Sequence, residues 1–180
     1  MDGELNDFYA KFFCSATGEF EISEQLLNEY YHLASGGDVE TFYIFAPLAF
    51  FLAGKQMWSE VCLVFERCLV LESKDAQENT YSSWLTIGNL LAESSGLEQP
   101  ERMRIRQEAL QIALRTIELF PSNPGFLFDA ANLCRLGGSV DDIASGVEYL
   151  RRAELLALEI GDQDCAEGAR WLRQSWGVGD

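Results

Sequence analysis

The feature that most constrains this chain is a helical spacing of its large apolar residues, which recurs along almost the whole sequence. Near the N-terminus, five such residues follow the i, i+3, i+4, i+7, i+8 spacing that places side chains on one helix face: Leu5, Phe8, Tyr9, Phe12 and Phe13. No stretch shows the convincing alternation of a strand, and glycine, proline and capping residues separate the apolar segments. The pattern predicts nine helices and an all-α fold.

The glycine, proline and capping residues between these segments predict where the helices begin and end. Helices are predicted over about residues 4–15 and 22–35, then up to Gly54, over 58–71, up to Ser94, from Pro100 to Pro121, from Pro124 to Gly137, after Ser139 and after Asp162. Proline suits a first helical turn because its missing N–H would be unpaired there anyway, and Gly137-Gly138 supplies the left-handed conformation that ends a helix. Ser139 and Asp162 are the predicted N-caps.

Charge and composition narrow the classes of partner. The chain has 180 residues, enough for one domain with a sizeable core, and 48% of them are hydrophobic, so it is expected to fold. It carries 29 Asp and Glu against 13 Lys and Arg, a formal charge of −16. No stretch concentrates enough positive charge to neutralise several phosphates. Nucleic acid and anionic membrane surfaces are therefore predicted to be poor partners.

The sequence predicts a cytoplasmic protein without a membrane span. Its longest apolar stretch, residues 42–53, is interrupted by Pro47 and falls short of the roughly 20 residues that a span requires. The first residues are acidic, where a secretory signal would be basic. The five cysteines are odd in number and form no Cys-x-x-Cys motif, which favours buried, reduced thiols.

Catalysis has little support in the sequence. His32 is the only histidine, so a histidine-ligated metal site is excluded and a nucleophile would have to recruit that one ring. Asp141 and Asp142 lie within three residues after Ser139, in the first turn of a predicted helix, where carboxylates favour the positive end of the helix dipole. No phosphate-cradling loop of the G-x-x-x-x-G-K-[ST] type is present. We expect no enzymatic activity, no catalytic residue, no metal and no cofactor.

Three of the predicted hairpins look like copies of one unit. Trp84, Ile87, Gly88 and Leu91 match the spacing of the W-x-x-L-G-x-x-Y signature, and Ala109, Ala113, Thr116 and Pro121 match the helix that follows it. Weaker copies occupy residues 41–71 and 124–157. The small residues Gly88 and Ala109, and Gly146 inside a predicted helix, are expected to lie where two helices approach closely. Over roughly residues 40–157 the chain resembles the tetratricopeptide repeat (TPR) superfamily. About nine extra residues around 92–102 predict a longer turn inside the middle hairpin.

Within that superfamily the chain is most similar to the class II chaperones of bacterial type III secretion. The run Pro124-Gly-Phe-Leu-Phe-Asp-Ala-Ala131 looks like the third repeat of those chaperones, and residues 65–71 look like the end of the first. The resemblance implies a right-handed superhelical array of about three hairpins over 39–160, with extra N-terminal helices over 1–38 and a capping helix over 161–180. The aromatic N-terminal helix has two interpretations: a cap docked on the repeats, which we favour, or a surface that pairs two copies of the chain.

The resemblance also implies a site, because the first helices of such hairpins line a concave face that binds peptides. By position the lining residues would be Ile44, Leu48, Phe51, Leu85, Asn89, Phe128, Asn132 and Arg135. Asn89 and Asn132 fall at equivalent points, and an asparagine amide can pair with a peptide N–H and C=O. Apolar residues stand at 85 and 128, where a carboxylate clamp would have lysine, which favours apolar anchors.

Two functions from different classes follow. The first is a TPR-like adaptor or secretion-type chaperone that holds an extended or amphipathic segment of a partner protein. The second is an acidic immunity protein, inhibitor or nucleic-acid mimic that covers a basic surface of its target. A mimic would spread acid along one continuous face, whereas residues 1–40 hold nine acids and one base and residues 41–74 hold three of each. The charge distribution therefore favours the first function.

Overall fold

The computed structural model describes residues 41–74 and 76–176, except for the side chains of residues 41–44 and of Pro47. Every secondary-structure element in this part is an α-helix. The helices are α1 (Thr41–Gly54), α2 (Trp58–Leu71), α3 (Gln77–Glu93), α4 (Gln99–Leu119), α5 (Gly125–Gly137), α6 (Val140–Ile160) and α7 (Gln163–Ser175). The all-α prediction is confirmed for the described residues. The helices predicted over 4–15 and 22–35 lie outside them.

The helix ends follow the local chemistry of the sequence. Pro100 lies in the first turn of α4, where no N–H is needed. The Ser139 hydroxyl accepts the Asp142 N–H at 3.0 Å, and the Asp162 carboxylate accepts the Cys165 N–H at 3.0 Å, so α6 and α7 both begin at the predicted caps. Gly138 ends α5 in the left-handed conformation at φ 70°.

The turn inside the middle hairpin takes up only part of the predicted insertion. Residues 92–93 continue α3 and residues 99–102 begin α4, so only 94–98 form the turn. This turn is longer than the turns of the other two hairpins, 55–57 and 138–139, as predicted, but most of the inserted residues lengthen the two helices instead. Adding helical residues keeps backbone groups hydrogen-bonded, whereas a long loop would leave them to be paired by solvent.

The helices pack in sequence and also in a second, longer-range pattern. Each helix contacts the next one along the chain, and short turns join α1 to α2, α3 to α4 and α5 to α6. Connections this short return the chain alongside the preceding helix. In addition, α1 contacts α3 and α3 contacts α5. The first helices of three hairpins therefore lie side by side and share one face of the molecule.

Aromatic rings connect the hairpins through the core. Phe65 of α2 stacks on Trp84 of α3 with ring centroids 5.7 Å apart, and Tyr81 stacks on the same indole at 6.3 Å. Tyr81 meets Phe120 edge-on at 6.0 Å, and Phe120 lies 5.9 Å from Phe126 of α5. Such ring pairs add to the free energy of burying each ring. The chain of rings links the first hairpin to the third.

Small residues allow the closest helix contacts, as the sequence predicts. A Cβ on residue 88 would lie 2.8 Å from the Cβ of Ala109 and 3.2 Å from the Trp58 ring. The backbone of α3 at Gly88 therefore packs directly against side chains of α4 and α2. At the next hairpin, a Cβ on residue 146 would lie 3.2 Å from both the Ala131 carbonyl oxygen and the Cys134 Cβ. Neither of those two atoms belongs to a flexible side-chain end that could move aside.

This close approach gives the first testable prediction. Gly88→Ala should lower the free energy of unfolding by about 1–3 kcal/mol, because the new methyl group forces α3 and α4 apart. The expected sign is opposite to that of helix propensity, which favours alanine by about 1 kcal/mol. Gly168→Ala in α7 is the matched control, since nothing lies within 4 Å of a Cβ there, and it should be stabilising. Denaturant unfolding of both variants measures the two free energies. If Gly88→Ala stabilised the protein as much as Gly168→Ala, the close contact at residue 88 would be contradicted.

Candidate functional site

The candidate site is the accessible side of the three first helices, which we call the α1–α3–α5 face. Its position follows from the packing, because α3 has α1 and α5 on its flanks and α2 and α4 against it. Only a narrow strip of α3 is left to solvent. That strip carries Asn89, Leu90 and Glu93, with Phe50 on the α1 side and residues of α5 on the other.

Two of the predicted lining residues are core residues instead. Leu48 and Leu85 are both 0% exposed and belong to the main hydrophobic cluster. Their predicted role in an open groove is therefore wrong. The reason is that other helices surround most of α1 and of α3, so only a narrow strip of each helix stays accessible. An apolar residue beside that strip packs inward, where burial is favourable. The side chain of Ile44 lies outside the described residues.

The other predicted lining residues are accessible to different degrees. Phe51 is half-buried against the main core, with the Lys55 ammonium 5.7 Å from its ring centroid. Phe128 is also half-buried, and it packs against the small cluster that joins α5, α6 and α7. Asn89 and Asn132 are half-buried and Arg135 is exposed. Of the predicted set, Asn89 and Arg135 are the residues best placed on the α1–α3–α5 face, since each contacts a side chain across α3 and α5.

A polar pair occupies the middle of this face. The Asn89 amide nitrogen donates to the Asp129 carboxylate at 3.1 Å and to the Leu85 carbonyl oxygen at 3.1 Å. The Asn89 side-chain oxygen is buried and has no hydrogen-bond partner in the described part of the chain. Burial raises the pKa of Asp129 to about 7, so one amide donor does not replace the water that the carboxylate loses. The pair has unused capacity to accept hydrogen bonds.

Asp129 is a residue that the sequence analysis missed, although a signal was present. It interrupts the apolar run Phe126-Leu-Phe-Asp-Ala-Ala131, where a carboxylate has hydrophobic neighbours on both sides. A charged residue in such a run is seldom buried unless it has a partner. Only the fold reveals that its partner is Asn89, forty residues earlier and on another helix.

An ion pair crosses the same two helices. The Arg135 guanidinium contacts the Glu93 carboxylate at 3.0 Å, and the two side chains are 46% and 48% exposed. An exposed pair of this kind contributes about 0–1 kcal/mol to stability. The charge of Arg135 is therefore already balanced by a carboxylate on α3, so Arg135 would attract an anionic ligand less strongly than an unpaired arginine would.

One end of the α1–α3–α5 face is apolar. Phe50 and Leu90 are 45% and 59% exposed, and both line a cavity of about 350 Å³ between the C-terminal halves of α1 and α3. The sequence signal lies in the pairs Phe50-Phe51 and Leu90-Leu91. Consecutive residues on a helix point about 100° apart, so two adjacent large apolar residues do not easily share one buried stripe. Here the first of each pair is the exposed one.

The cysteines and acidic residues show no sign of nucleophile or metal chemistry in the described residues. Burial raises the pKa values of the Cys62 and Cys68 thiols to about 12, which keeps both protonated at neutral pH. Among residues 41–74 and 76–176, no three His, Cys, Asp or Glu side chains come together as metal ligands would. His32 and Cys14 lie outside the described residues.

Comparison with known proteins adds no further constraint. No protein-family model, curated protein or solved structure matches this chain. Within the described residues, no helix combines the length and the apolar character that crossing a bilayer requires.

Proposed function

We propose that this chain is a non-enzymatic, TPR-like protein-binding module that holds an extended segment of a partner protein on its α1–α3–α5 face. The observation that carries the proposal is the exposed apolar pair Phe50 and Leu90, which lies on the same face as the polar pair Asn89 and Asp129. Apolar anchors supply affinity, and a few fixed polar groups supply register along an extended chain.

The packing pattern supports a TPR-like array. Contacts of α1 with α3 and of α3 with α5, in addition to those between successive helices, are what stacked hairpins require. The close approach at Gly88 and Ala109 lies at the positions where the repeat signature has small residues. Helix α7 packs on α6 after the third hairpin, as a terminal cap does. A right-handed superhelical stack is the arrangement that we propose for residues 39–160.

The chemistry of the face indicates what kind of segment it would hold. A large apolar side chain would enter the cavity between α1 and α3, where Ile87, Leu91 and Ala53 complete the lining. Backbone N–H groups of the same segment would donate to the Asp129 carboxylate, which has capacity to accept. Ordering an extended chain costs entropy, so several such contacts are needed together.

The form of this function that we favour is a cytoplasmic chaperone of the secretion type. Such a protein would occlude the apolar segment of its client and so prevent that segment from aggregating or inserting elsewhere. The formal charge of −16 would keep a protein with an apolar groove soluble. The charge would then serve solubility, and the apolar and polar pairs of the face would supply recognition.

Loss of the apolar anchors is the second testable prediction. Peptides would be selected from a phage-displayed random library on the purified full chain, and their affinities measured by fluorescence anisotropy. Leu90→Ser and Phe50→Ser should each weaken the selected peptides at least about tenfold, the effect expected of truncating a central apolar anchor. Both side chains are exposed, so the variants should fold normally.

Val70→Ser is the matched control, because Val70 is 74% exposed on α2, away from the face. It should leave peptide affinity unchanged. Wild-type affinity in the Leu90 and Phe50 variants would overturn the proposed site. Co-purification from the native cells then separates the two functions: retention of a nuclease or DNA-binding protein by the Leu90 variant would support the acidic mimic instead.

A further inference from the structure

A second cavity, of about 530 Å³, lies where the C-terminal ends of α3 and α5 meet the N-terminal end of α4. Three arginines line it: Arg102, Arg106 and Arg135. The whole chain has only 13 basic residues against 29 acidic ones, so this is a notable concentration of positive charge in an acidic protein. Glu93 and Arg135 belong to both this cavity and the α1–α3–α5 face, which makes the two sites adjacent.

Arg106 is a buried cation with part of its bonding capacity unused. Its side chain is 8% exposed, and one terminal nitrogen donates to the Leu133 carbonyl oxygen at 3.3 Å and contacts the Asp142 carboxylate at 3.4 Å. Its Nε has no hydrogen-bond partner in the described residues. Gly137 leaves the room for this pair, because a Cβ there would overlap both Arg106 and Asp142.

Arg102 is less constrained and has more capacity. It is half-buried on the first turns of α4, its Nε is buried without a partner, and no ion pair to it occurs within the described part of the chain. Buried donors without acceptors are costly, and each arginine has five N–H groups to satisfy. Two arginines with unpaired Nε groups on one cavity therefore favour a further acceptor, which the described residues do not supply.

The neighbouring Arg104 shows which acceptor suits these groups. It holds the Glu101 carboxylate side-on, with Nε to oxygen at 3.0 Å and a terminal nitrogen to the other oxygen at 2.6 Å. In Arg102 and Arg106 the Nε groups lack such a partner. A small rotation of either guanidinium would present the same edge to the cavity, and planar carboxylates match that edge in two parallel bonds.

The charge balance selects a carboxylate over a phosphate. Glu93 pairs with Arg135 and Asp142 contacts Arg106, so within residues 41–74 and 76–176 Arg102 is the cavity arginine without a compensating charge. A single negative charge would neutralise it, whereas a phosphate dianion would leave an excess of negative charge in a protein that is already acidic. Burial of an unpaired charge is unfavourable, so the monoanion fits better.

We propose that this cavity binds a carboxylate, with Arg102 and Arg106 as the binding residues, and that an acidic side chain or the chain end of the bound segment supplies it. The source of the carboxylate rests on the proposed function, whereas the site itself does not. The partner segment would then carry an acidic group next to its apolar anchor. Arg135, already paired with Glu93, lies between the two sites.

NMR titration of the full chain tests this, with the arginine Nε–H signals as the readout and ionic strength held constant with sodium chloride. The probes are N-acetylglutamate α-amide for a side-chain carboxylate, N-acetylglutamine for a chain-end carboxylate, and N-acetylglutamine amide as the neutral control. We expect saturable shifts of the Arg102 and Arg106 signals with one or both carboxylates and none with the neutral amide. The carboxylate that saturates at the lower concentration identifies the source.

Arg102→Gln should raise the half-saturating concentration at least tenfold. Arg104→Gln is the matched control: it lies on the same helix with its guanidinium already bound to Glu101 and should bind as the wild type does. Arg102 has no described bond to lose, so its variant stays informative even if Arg106→Gln does not fold. Three outcomes would overturn the site. They are the absence of a saturable shift, an equal loss of carboxylate affinity in Arg102→Gln and Arg104→Gln, and saturation by inorganic phosphate at a lower concentration than by either carboxylate. None of them bears on peptide binding at Phe50 and Leu90.

Discussion

Asp129→Asn is expected to stabilise the protein at pH 8 by up to roughly 4 kcal/mol, and the gain should shrink as the pH falls through 7 towards 4. The cause is burial, which raises the pKa of Asp129 from 3.8 to about 7. A carboxyl whose folded-state pKa is raised contributes its full stability below the unfolded value. That contribution is lost as the pH rises through the folded value. Asparagine keeps the shape and stays neutral, and its carbonyl oxygen can still accept the Asn89 amide.

Chemical denaturation of wild type and variant at several pH values measures this difference. Glu148→Gln, at an exposed position of α6, carries the same change of charge and should stay within about 0.5 kcal/mol of wild type at every pH. Subtracting the two variants removes the general effect of a net charge of −16. A stability difference for Asp129→Asn that is constant between pH 4 and 8 would contradict the raised pKa.

Because the Asp129 carboxylate lowers the stability of the fold at neutral pH, its position calls for a functional explanation. Perturbed ionisable groups in accessible clefts occur often at functional sites. On the α1–α3–α5 face, a donor from a bound segment would stabilise the ionised form of Asp129 and recover part of the lost free energy. The residue would then trade stability of the free protein for binding, as functional positions commonly do.

Trp58→Ala is expected to have the other large effect, a loss of about 3–5 kcal/mol in the free energy of unfolding. The Trp58 side chain is 1% exposed, and its ring lies against the backbone of Gly88 in α3. Its Nε1 donates to the Glu108 carboxylate at 2.7 Å, so the indole links α2 to α3 and α4 at once. Removing it leaves a cavity that these three helices cannot fill without moving.

Two further variants separate packing from hydrogen bonding. Trp58→Phe keeps most of the ring volume but loses the bond to Glu108, and we expect a smaller loss of about 1–3 kcal/mol. Trp171→Ala, at a ring that is 67% exposed on α7, is the control and should change stability by about 0.5 kcal/mol or less. Unfolding is best followed by far-UV circular dichroism, since the substitutions change the fluorescence. A tolerance of Trp58→Ala equal to that of Trp171→Ala would contradict the role assigned to this ring.

Local signals in the sequence were sufficient for the helices. The caps at Ser139 and Asp162, the stop at Gly138 and the proline in the first turn of α4 all lie where the residue types predict. Each depends on interactions within a few residues, so no knowledge of the fold is needed. The small residues at Gly88 and Gly146 were also correctly interpreted as contact points, because a glycine inside a helix is unfavourable without a packing reason.

The residues that line the α1–α3–α5 face were predicted less accurately than the helices, and the reason is geometric. A register taken from repeat positions placed Leu48 and Leu85 in the groove, yet both are fully buried. Whether a helix residue is buried depends on how many neighbours surround that helix, and the sequence spacing alone does not contain this information. The accessible residues Phe50 and Leu90 stand next to buried apolar ones in the chain, so their exposure depends on a rotation about the helix axis of only 100°.

What the sequence determined by itself is the class of fold: helices with clear ends, small residues at their crossings, and an acidic composition. What only the tertiary structure decided is which groups meet. Asn89 reaches Asp129, Glu93 reaches Arg135, and Arg102 comes to the same cavity as Arg106 and Arg135. Helix formation depends on neighbours within one or two turns, whereas a site is made by side chains from separate helices, and their distances are set only when the core packs.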